Sequence, residues 1–459
     1  MKITIGNTTY TKIKSLSFSP ETDITGDTVP INNFEAVIVT RDVLNPNVTY
    51  GAWAYLYDDL DNLWARYWIS YAEHEEIDTI RIIAHDQLAF LDQRKLPATM
   101  YDDGISVILG DIFGSMTYVV DESLADVIYY EEGGVTQEVI VSGFCPEQTA
   151  RERLLWLCLV EGAYVQTYFC ENITLRCLTD DTTFIPINKT FWKPSITYRD
   201  YVTAIKITYY SYTEGTPQTT DEWVTDGTDY YIQTASTFTL SNSYAPSGAP
   251  ENVVEVDGIT LINVDDVSNI ALFLAKYYFN RTEVDMDVIN NAEYKPGDKI
   301  VGYRDGLNLV SGYIQSADFT FGLQARSTLH VLGVTDVEGA TLTILYIYED
   351  EYNEIQLDKQ EFVLPVGYEY SITNPYIDQE MQNHRYVYIP QNEAAEGTVA
   401  SGGTEDEELY DIALDMNYED NVLSIYSVDE LELVEEEDTE VDPETEEEVT
   451  VTYNVLEIS

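Results

Sequence analysis

Short runs of β-branched and aromatic residues, cut by polar turns, set the first limit on what this chain can fold into. Residues 35–40, 52–57, 64–71 and 79–84 each read as a strand, and Asp58-Asp59-Leu60-Asp61-Asn62 turns the second into the third. Antiparallel strands with connections this short close a small barrel or sandwich. From about residue 86 the spacing becomes helical. Asp86 is placed to cap a short helix carrying Leu88 and Leu91. Residues 105–113 put Val107, Ile108, Ile112 and Phe113 near one face, and 146–161 carry a stripe of Leu154, Leu157 and Cys158, with Pro146 in the first turn and Gly162 at the exit. A hairpin of 164–169 and 173–178 follows. Residues 195–335 return to strands, with one helix at about 266–280, a strand at 203–209 and a Pro296-Gly297 turn before strands at 310–316 and 326–332. The expected fold is mainly β with an α+β middle of two or three helices.

The charge balance narrows the function. The 459 residues hold 82 acids and 23 bases, a net charge of −59. Nucleic-acid affinity comes largely from Lys and Arg displacing counterions, so stable nucleic-acid binding is excluded. A membrane span is not expected, because the most apolar stretches, 154–160 and 270–279, are far shorter than the roughly 20 residues a spanning helix needs. The first ten residues read as a strand and turn rather than a secretory signal. Arg385 is the last base, and the 74 residues after it carry 24 acids. Thirteen of the 21 residues in 429–449 are acidic, so this run reads either as a solvated tail or as the long tip of a hairpin between strands at 421–428 and 449–453.

Catalytic chemistry finds little support. His74 lies in the charged loop 73–76, His85 precedes a helix cap, His330 falls within a strand and His384 sits beside Arg385; none has the spacing of a metalloprotease or nucleophile motif. Cys145, Cys158, Cys170 and Cys177 form no CxxC element and read as structural thiols, although Cys170 and Cys177 are spaced to face each other across a hairpin. Asp226-Gly227-Thr228-Asp229 and the Asp58, Asp59, Asp61 cluster are oxygen-rich but lack the calcium-loop spacing, and read as plain turns. With 82 acids, carboxylate pairs arise by chance and name no glycosidase site. No catalytic, cofactor-binding or metal-binding residue is assigned, and no cofactor is expected. The 37 tyrosines fit an interface and fit exposed sheet faces equally well.

The order of elements carries a resemblance. Ile82-Ile83-Ala84-His85-Asp86-Gln87-Leu88-Ala89-Phe90-Leu91 is similar to the strand-to-helix step of bacteriophage tail baseplate and tail-tip hub proteins, with its Ala-x-Asp-x-Leu-x-x-Leu pattern. Residues 101–109 resemble that family's next turn and helix. Residues 148–159, then Glu161-Gly162-Ala163-Tyr164-Val165, resemble its second helix and Gly-Ala exit; Pro296-Gly297-Asp298, followed by Gly312-Tyr313-Ile314, resembles its closing β module. The resemblance covers roughly 1–335. It implies two barrel-like hub modules at 1–90 and 195–335 around an α+β module at 91–194. It also implies a non-enzymatic homotrimeric ring that joins tail tube to tip and lets DNA pass. Its partners would be further copies of itself, a distal tail or tail-tube protein, a tape measure protein and tip, spike or receptor-binding proteins. Its location would be the distal tail of a virion, after synthesis in the host cytoplasm. Part of the acid excess is then expected to face the channel, where like charge keeps DNA from adhering.

Residues 336–418 are similar to mucin-binding-type β-grasp modules. Thr341-Leu342-Thr343-Ile344-Leu345-Tyr346-Ile347-Tyr348 stands at the first strand and Val366-Gly367-Tyr368-Glu369-Tyr370 at the Val-Gly-x-x-Tyr step, with residues 411–417 in the place of the last strand; Glu351-Tyr352 replaces the usual Asp-Gly turn. Residues 419–459 complete an acidic, β-rich appendage. Two other readings stand beside the hub: a cell-surface-binding adhesin, and a tail-associated cell-wall hydrolase working through two carboxylates.

Overall fold

The computed structural model describes residues 1–23, 28–40, 50–76, 78–132, 134–186, 189–191, 194–216, 222–304, 308–321, 326–337, 339–349, 355–365, 371–373, 386–391, 414–417, 422–425, 431–441 and 448–458. The chain is mainly β, with five helices among the described residues: α1 (Leu88–Gln93), α2 (Ile105–Phe113), α3 (Glu122–Ile128), α4 (Ala150–Glu161) and α5 (Val267–Tyr278). It divides into two compact units. The first is Met1–Gly302 with Val310–Thr335, the second Tyr303–Leu309 with Asp336–Ser459.

One 13-stranded sheet organises the first unit. Its main path runs Ser195–Tyr198, Thr282–Ile289, Arg326–Val337, Leu309–Thr320, Ile13–Phe18, Asn33–Val39, Thr79–His85, Leu63–Glu76, Trp53–Tyr57, Lys2–Ile5 and Thr8–Tyr10. Strands assigned in sequence to two separate modules are therefore hydrogen-bonded into one sheet. The seam is short, pairing Phe18 with Phe319 and Ser17 with Thr320. Aromatic packing closes it: the Phe18 and Phe319 rings stack at 5.9 Å, and the Trp64 indole meets Phe319 edge-on at 4.8 Å. Side chains from both stretches, Ile3, Phe34, Ile82, Met286, Ile314 and Leu329 among them, share one core. Burying apolar surface at about 25 cal/mol per Å² makes that shared core the dominant reason the two stretches stay together.

A second core lies among the helices. Leu88 and Leu91 of α1, Ile108 and Ile112 of α2, Leu154 and Leu157 of α4 and Ile270 and Leu274 of α5 pack with Ile205 and Ile207. The last two come from a four-stranded sheet ordered Trp223–Thr225, Tyr230–Ser241, Ala204–Glu214, Val253–Val256. Three helices, α2, α3 and α4, lie wholly within 91–194, in line with the two or three expected there, and α3 is the one that the sequence pattern did not place. Its start is marked by Asp121, whose carboxylate accepts from the Ser123 N–H. The expected face of α2 also changes. Ile105, Ile108, Leu109, Ile112 and Phe113 are buried while Val107 is half exposed, since only i, i+3 and i+4 positions share a helical stripe.

Helix α4 begins at Ala150, not at Pro146. Thr149 and Glu152 form a reciprocal capping box there: the Glu152 N–H donates to the Thr149 hydroxyl at 3.2 Å, and the Thr149 N–H donates to the Glu152 carboxylate at 2.7 Å. Its far end is closed by Gly162 at φ +63°, a left-handed turn that a side chain resists.

In the second unit, Gly339–Glu349 pairs with Ile355–Pro365 and with Tyr386–Gln391, and Val422–Ile425 pairs with Ser371–Thr373 and Leu414–Asn417. Residues 351–352 and 366–370, on which the β-grasp resemblance partly rests, lie outside the described residues, as do His384 and Arg385. Part of the acidic run is strand, while its residues 429–430 and 442–447 lie outside the described residues. Leu431–Val441 is itself a strand, paired with Glu448–Ile458 over eleven positions. The register accounts for this. Glu435, Glu436, Glu437, Asp438 and Glu440 stand opposite Asn454, Tyr453, Thr452, Val451 and Val449, and only Glu432 faces another acid, Glu457. Like charges directly opposite would destabilise the ladder, and from Val449 to Leu456 the facing strand carries none.

Candidate functional site

The segments that carry the resemblance meet at two buried junctions. At the first, the strand Thr79–His85 ends in Ala84, and Asp86 follows it at 1% exposure. Asp86 Oδ1 accepts from the Leu88 N–H at 3.0 Å; Oδ2 accepts from the Asn32 N–H at 2.9 Å and from the Thr167 hydroxyl at 2.7 Å. Asn32 in turn donates from Nδ2 to Thr167 at 3.1 Å. One carboxylate thus ties the start of α1 to segments 54 and 81 residues away. Asp86 was expected to cap α1, and it does so from two positions before the helix; Gln87 occupies the cap without a side-chain bond. Burial raises the Asp86 carboxyl to about 6, while the hydrogen bonds from Thr167, Asn32 and Leu88 pull the other way.

The second junction joins the exit of α4 to the Pro296-Gly297-Asp298 turn. Gly297 has φ +90°, donates its N–H to the Ile314 carbonyl at 2.7 Å, and lies against the buried Tyr164 ring. A Cβ at this position would fall 2.3 Å from Tyr164 Cζ. The Tyr168 hydroxyl donates to the Pro296 carbonyl at 2.8 Å. Arg176 spans the turn and the helix α3 cap, 3.7 Å from Asp298 and 3.4 Å from Asp121. Gly297→Ala is expected to lose about 2–4 kcal/mol, the sum of left-handed backbone strain and overpacking against Tyr164. Urea unfolding measures it, and a loss below about 1 kcal/mol would mean that the ring moves aside freely.

Arg153, on the buried side of α4, was missed in the sequence. It is 1% exposed, and its guanidinium donates to the Tyr101 hydroxyl at 2.9 Å and to the carbonyls of Pro97 and Pro146 at 2.7 and 3.1 Å. The signal was present, since a charged residue directly before Leu154 interrupts an apolar stripe, but Arg is almost never fully buried and solvent was the default reading.

The other candidate groups are taken up by local structure. Asp58 accepts from the Leu60 and Asn62 N–H groups at 2.9 and 2.8 Å, while Asp59 pairs with the amino terminus and Asp61 with Lys2. Asp226 accepts from the N–H groups of Thr228 and Asp229 at 2.8 and 2.9 Å. Asp58 and Asp226 thus build turns, and among the described residues no group of three His, Cys, Asp or Glu is placed to hold a metal. His74 is in the long strand Leu63–Glu76 rather than a loop, and His330 Nδ1 lies 2.6 Å from Asp285 across the sheet. All four cysteines are free. Cys177 stands opposite Ala163 in the hairpin, not opposite Cys170. Burial pushes the Cys145 and Cys177 thiols up to about 12, which suppresses thiolate chemistry.

One carboxylate pair departs from the ordinary range. Glu161, at the end of α4, is raised to about 7 by burial and by the charge of Asp266; Asp266, at the start of α5, is raised to about 6 by burial. Neither lines the cavity bounded by Thr22, Asp23, Val29, Leu155, Cys158 and Tyr164. Among the described residues no helix is long and apolar enough to cross a membrane.

No family model and no curated protein matches the chain. Among solved structures, it is similar to a prophage tail protein from Listeria monocytogenes, at 12% identity and a TM-score of 0.46 over 71% of this chain and 90% of that one. It is similar to the 43 kDa tail protein of prophage MuSo2 from Shewanella oneidensis, at 9% identity and 0.46 over 72% and 96%. A type VI secretion system component from E. coli follows, at 9% identity and 0.43 over 78% and 88%. What the chain is similar to in each case is a component of a tail or of a secretion apparatus.

Proposed function

We propose that this chain is a non-enzymatic structural hub at the tip of a bacteriophage tail or a related injection apparatus. Three copies form a ring that joins the tail tube to the tip and lets DNA pass, with a tube or distal tail protein, a tape measure protein and tip or receptor-binding proteins as neighbours. The observation that carries the reading is the convergence of the motif segments. The strand-to-helix step at Asp86 and the hairpin after Gly162 are tied through Thr167, and that hairpin is tied through Tyr164 and Tyr168 to the Pro296-Gly297-Asp298 turn. Segments that resemble one family in sequence order therefore also form one connected frame. The net charge of −59 is the second support, because a conduit for DNA should repel it. The acidic, β-rich second unit is an appendage that contacts neighbouring tail proteins or a cell surface.

Light scattering across a salt series tests the reading. The expected mass is about three times the 52.2 kDa chain mass, and the assembly should strengthen as added salt screens repulsion between copies. A ring in negative stain would accompany it. A monomer at every salt concentration would overturn the self-assembled ring.

A further inference from the structure

The longest stretch of this chain without a charged residue runs from Tyr230 to Pro250, 21 residues in a sequence that otherwise carries 105 charged side chains. It contains the strand Tyr230–Ser241, which pairs along one edge with Ala204–Glu214 and along the other only near its start, with Trp223–Thr225. The direction of the backbone groups follows from one bond. The Gln233 N–H donates to the Glu222 carbonyl, so it points away from the Ala204–Glu214 strand. Alternation along an antiparallel ladder then turns the N–H and C=O groups of Ala235, Thr237, Thr239 and Ser241 to that same outer edge. Among the described residues no strand pairs with them there.

The edge is also accessible. Residues 234–237, Thr239 and Ser241 are exposed, whereas Phe238 and Leu240 lean on the second core. Trp223 and Tyr230, each close to half exposed, meet edge-on at 5.2 Å at one end of the strand, and Tyr244 is 78% exposed beyond the other. Exposed Trp and Tyr are the side chains most enriched at protein interfaces. Natural proteins defend such edges with charge, proline or a covering element, because unpaired backbone groups are a template for another strand.

We propose that the outer edge of Tyr230–Ser241 pairs with a strand of a second copy of this chain, and so forms a contact between copies. Charge selects this occupant. A basic partner would gain by docking against carboxylates, which outnumber bases 82 to 23 in this chain, and would have no need of a neutral strand. A partner that itself carries −59 needs an approach free of them. The proposal rests on the reading that copies assemble, and it names where they touch.

Two full-length variants test it by light scattering over a concentration and salt series. Thr237→Pro removes one outward N–H and leaves the bonds to Ala204–Glu214 in place, as an edge position allows. Thr237→Glu keeps the backbone and adds an acid. We expect association at least tenfold weaker for both, with high salt rescuing Thr237→Glu but not Thr237→Pro. If the wild type assembles and both variants assemble equally well, the edge is wrong and the ring reading stands. If the variants abolish an assembly that is not trimeric, the edge stands and the trimer falls. A wild type that is monomeric throughout overturns both.

Discussion

Replacing Arg153 with alanine is expected to destabilise the first unit by about 3–5 kcal/mol, read as a lower urea midpoint. The guanidinium is 1% exposed and supplies donors to three oxygens: the carbonyls of Pro97 and Pro146 and the Tyr101 hydroxyl, which itself donates to Asp111 at 3.1 Å. Truncation leaves these acceptors buried without donors, at about 1–3 kcal/mol each before relaxation, and opens a cavity beside α4. Arg153→Lys separates charge from geometry. It keeps the cation but loses the planar fork that reaches two carbonyls and a hydroxyl at once, so it should fall between the wild type and alanine. Should alanine cost less than about 1 kcal/mol, those carbonyls must be reached by water, and Arg153 would not be what holds α4 to the strand Thr99–Gly104.

Much of the local structure was legible because local chemistry decides it. The turn at Asp58, the Gly162 exit, the strand Thr79–His85 and the helices at 105–113 and 267–278 all follow from residue types within a few positions of one another. The Pro146 start of α4 failed for an equally local reason: Pro146 and Thr149 are both helix-start residues, three positions apart, and the reciprocal bonds of Thr149 and Glu152 outweigh a proline's fixed φ.

What the sequence hid is long-range. Phe18 and Phe319 are 301 residues apart, and neither strand carries a pattern that announces the other. Reading each strand-rich stretch alone leaves unseen the seam that joins the two into one sheet. The junction residues were similarly half visible. Asp86 could be read as a cap from its position before Leu88, but its bond to Thr167 spans 81 residues. Gly297 could be read as a turn residue, but the Tyr164 ring that forbids a side chain there comes from another element. The oxygen-rich turns, by contrast, were legible locally: Asp58 and Asp226 accept from the backbone of their own turns, while Asp59 and Asp61 pair with the amino terminus and Lys2.

The acids that matter most for stability are those the fold raises, and they set the pH response. Asp86, Asp266 and Asp298 rise to about 6 and Glu161 to about 7, burial being the largest cause in each; Lys295 and Arg176 partly offset it at Asp298. A carboxyl raised in the folded state binds its proton more tightly there than in the unfolded chain. Its contribution is therefore fully present below the unfolded value, near 4, and is lost as pH rises through 6 to 7. Stability should then climb as pH falls from 8 to about 5, and Asp86 alone, fully buried and raised by about 2 units, contributes roughly 1–1.5 kcal/mol of it by pH 5, its full ~3 kcal/mol being reached only below pH 4. The climb ends near pH 4. Below it Asp121, Asp180 and Glu152, held low by Ser123 and Arg176, by Lys299 and by Thr149, lose their stabilising contribution as pH falls through their lowered values. Glu161→Gln isolates the local effect from the general repulsion of −59. At pH 8 it removes a half-buried charge beside Asp266 and should raise stability by about 1–2 kcal/mol, while at pH 5 it should change little. In 0.5 M salt the general repulsion is screened and this difference should persist, because half-buried charges are screened far less than exposed ones. A pH 8 gain that vanishes in salt would assign the whole response to net charge and none to the helix junction.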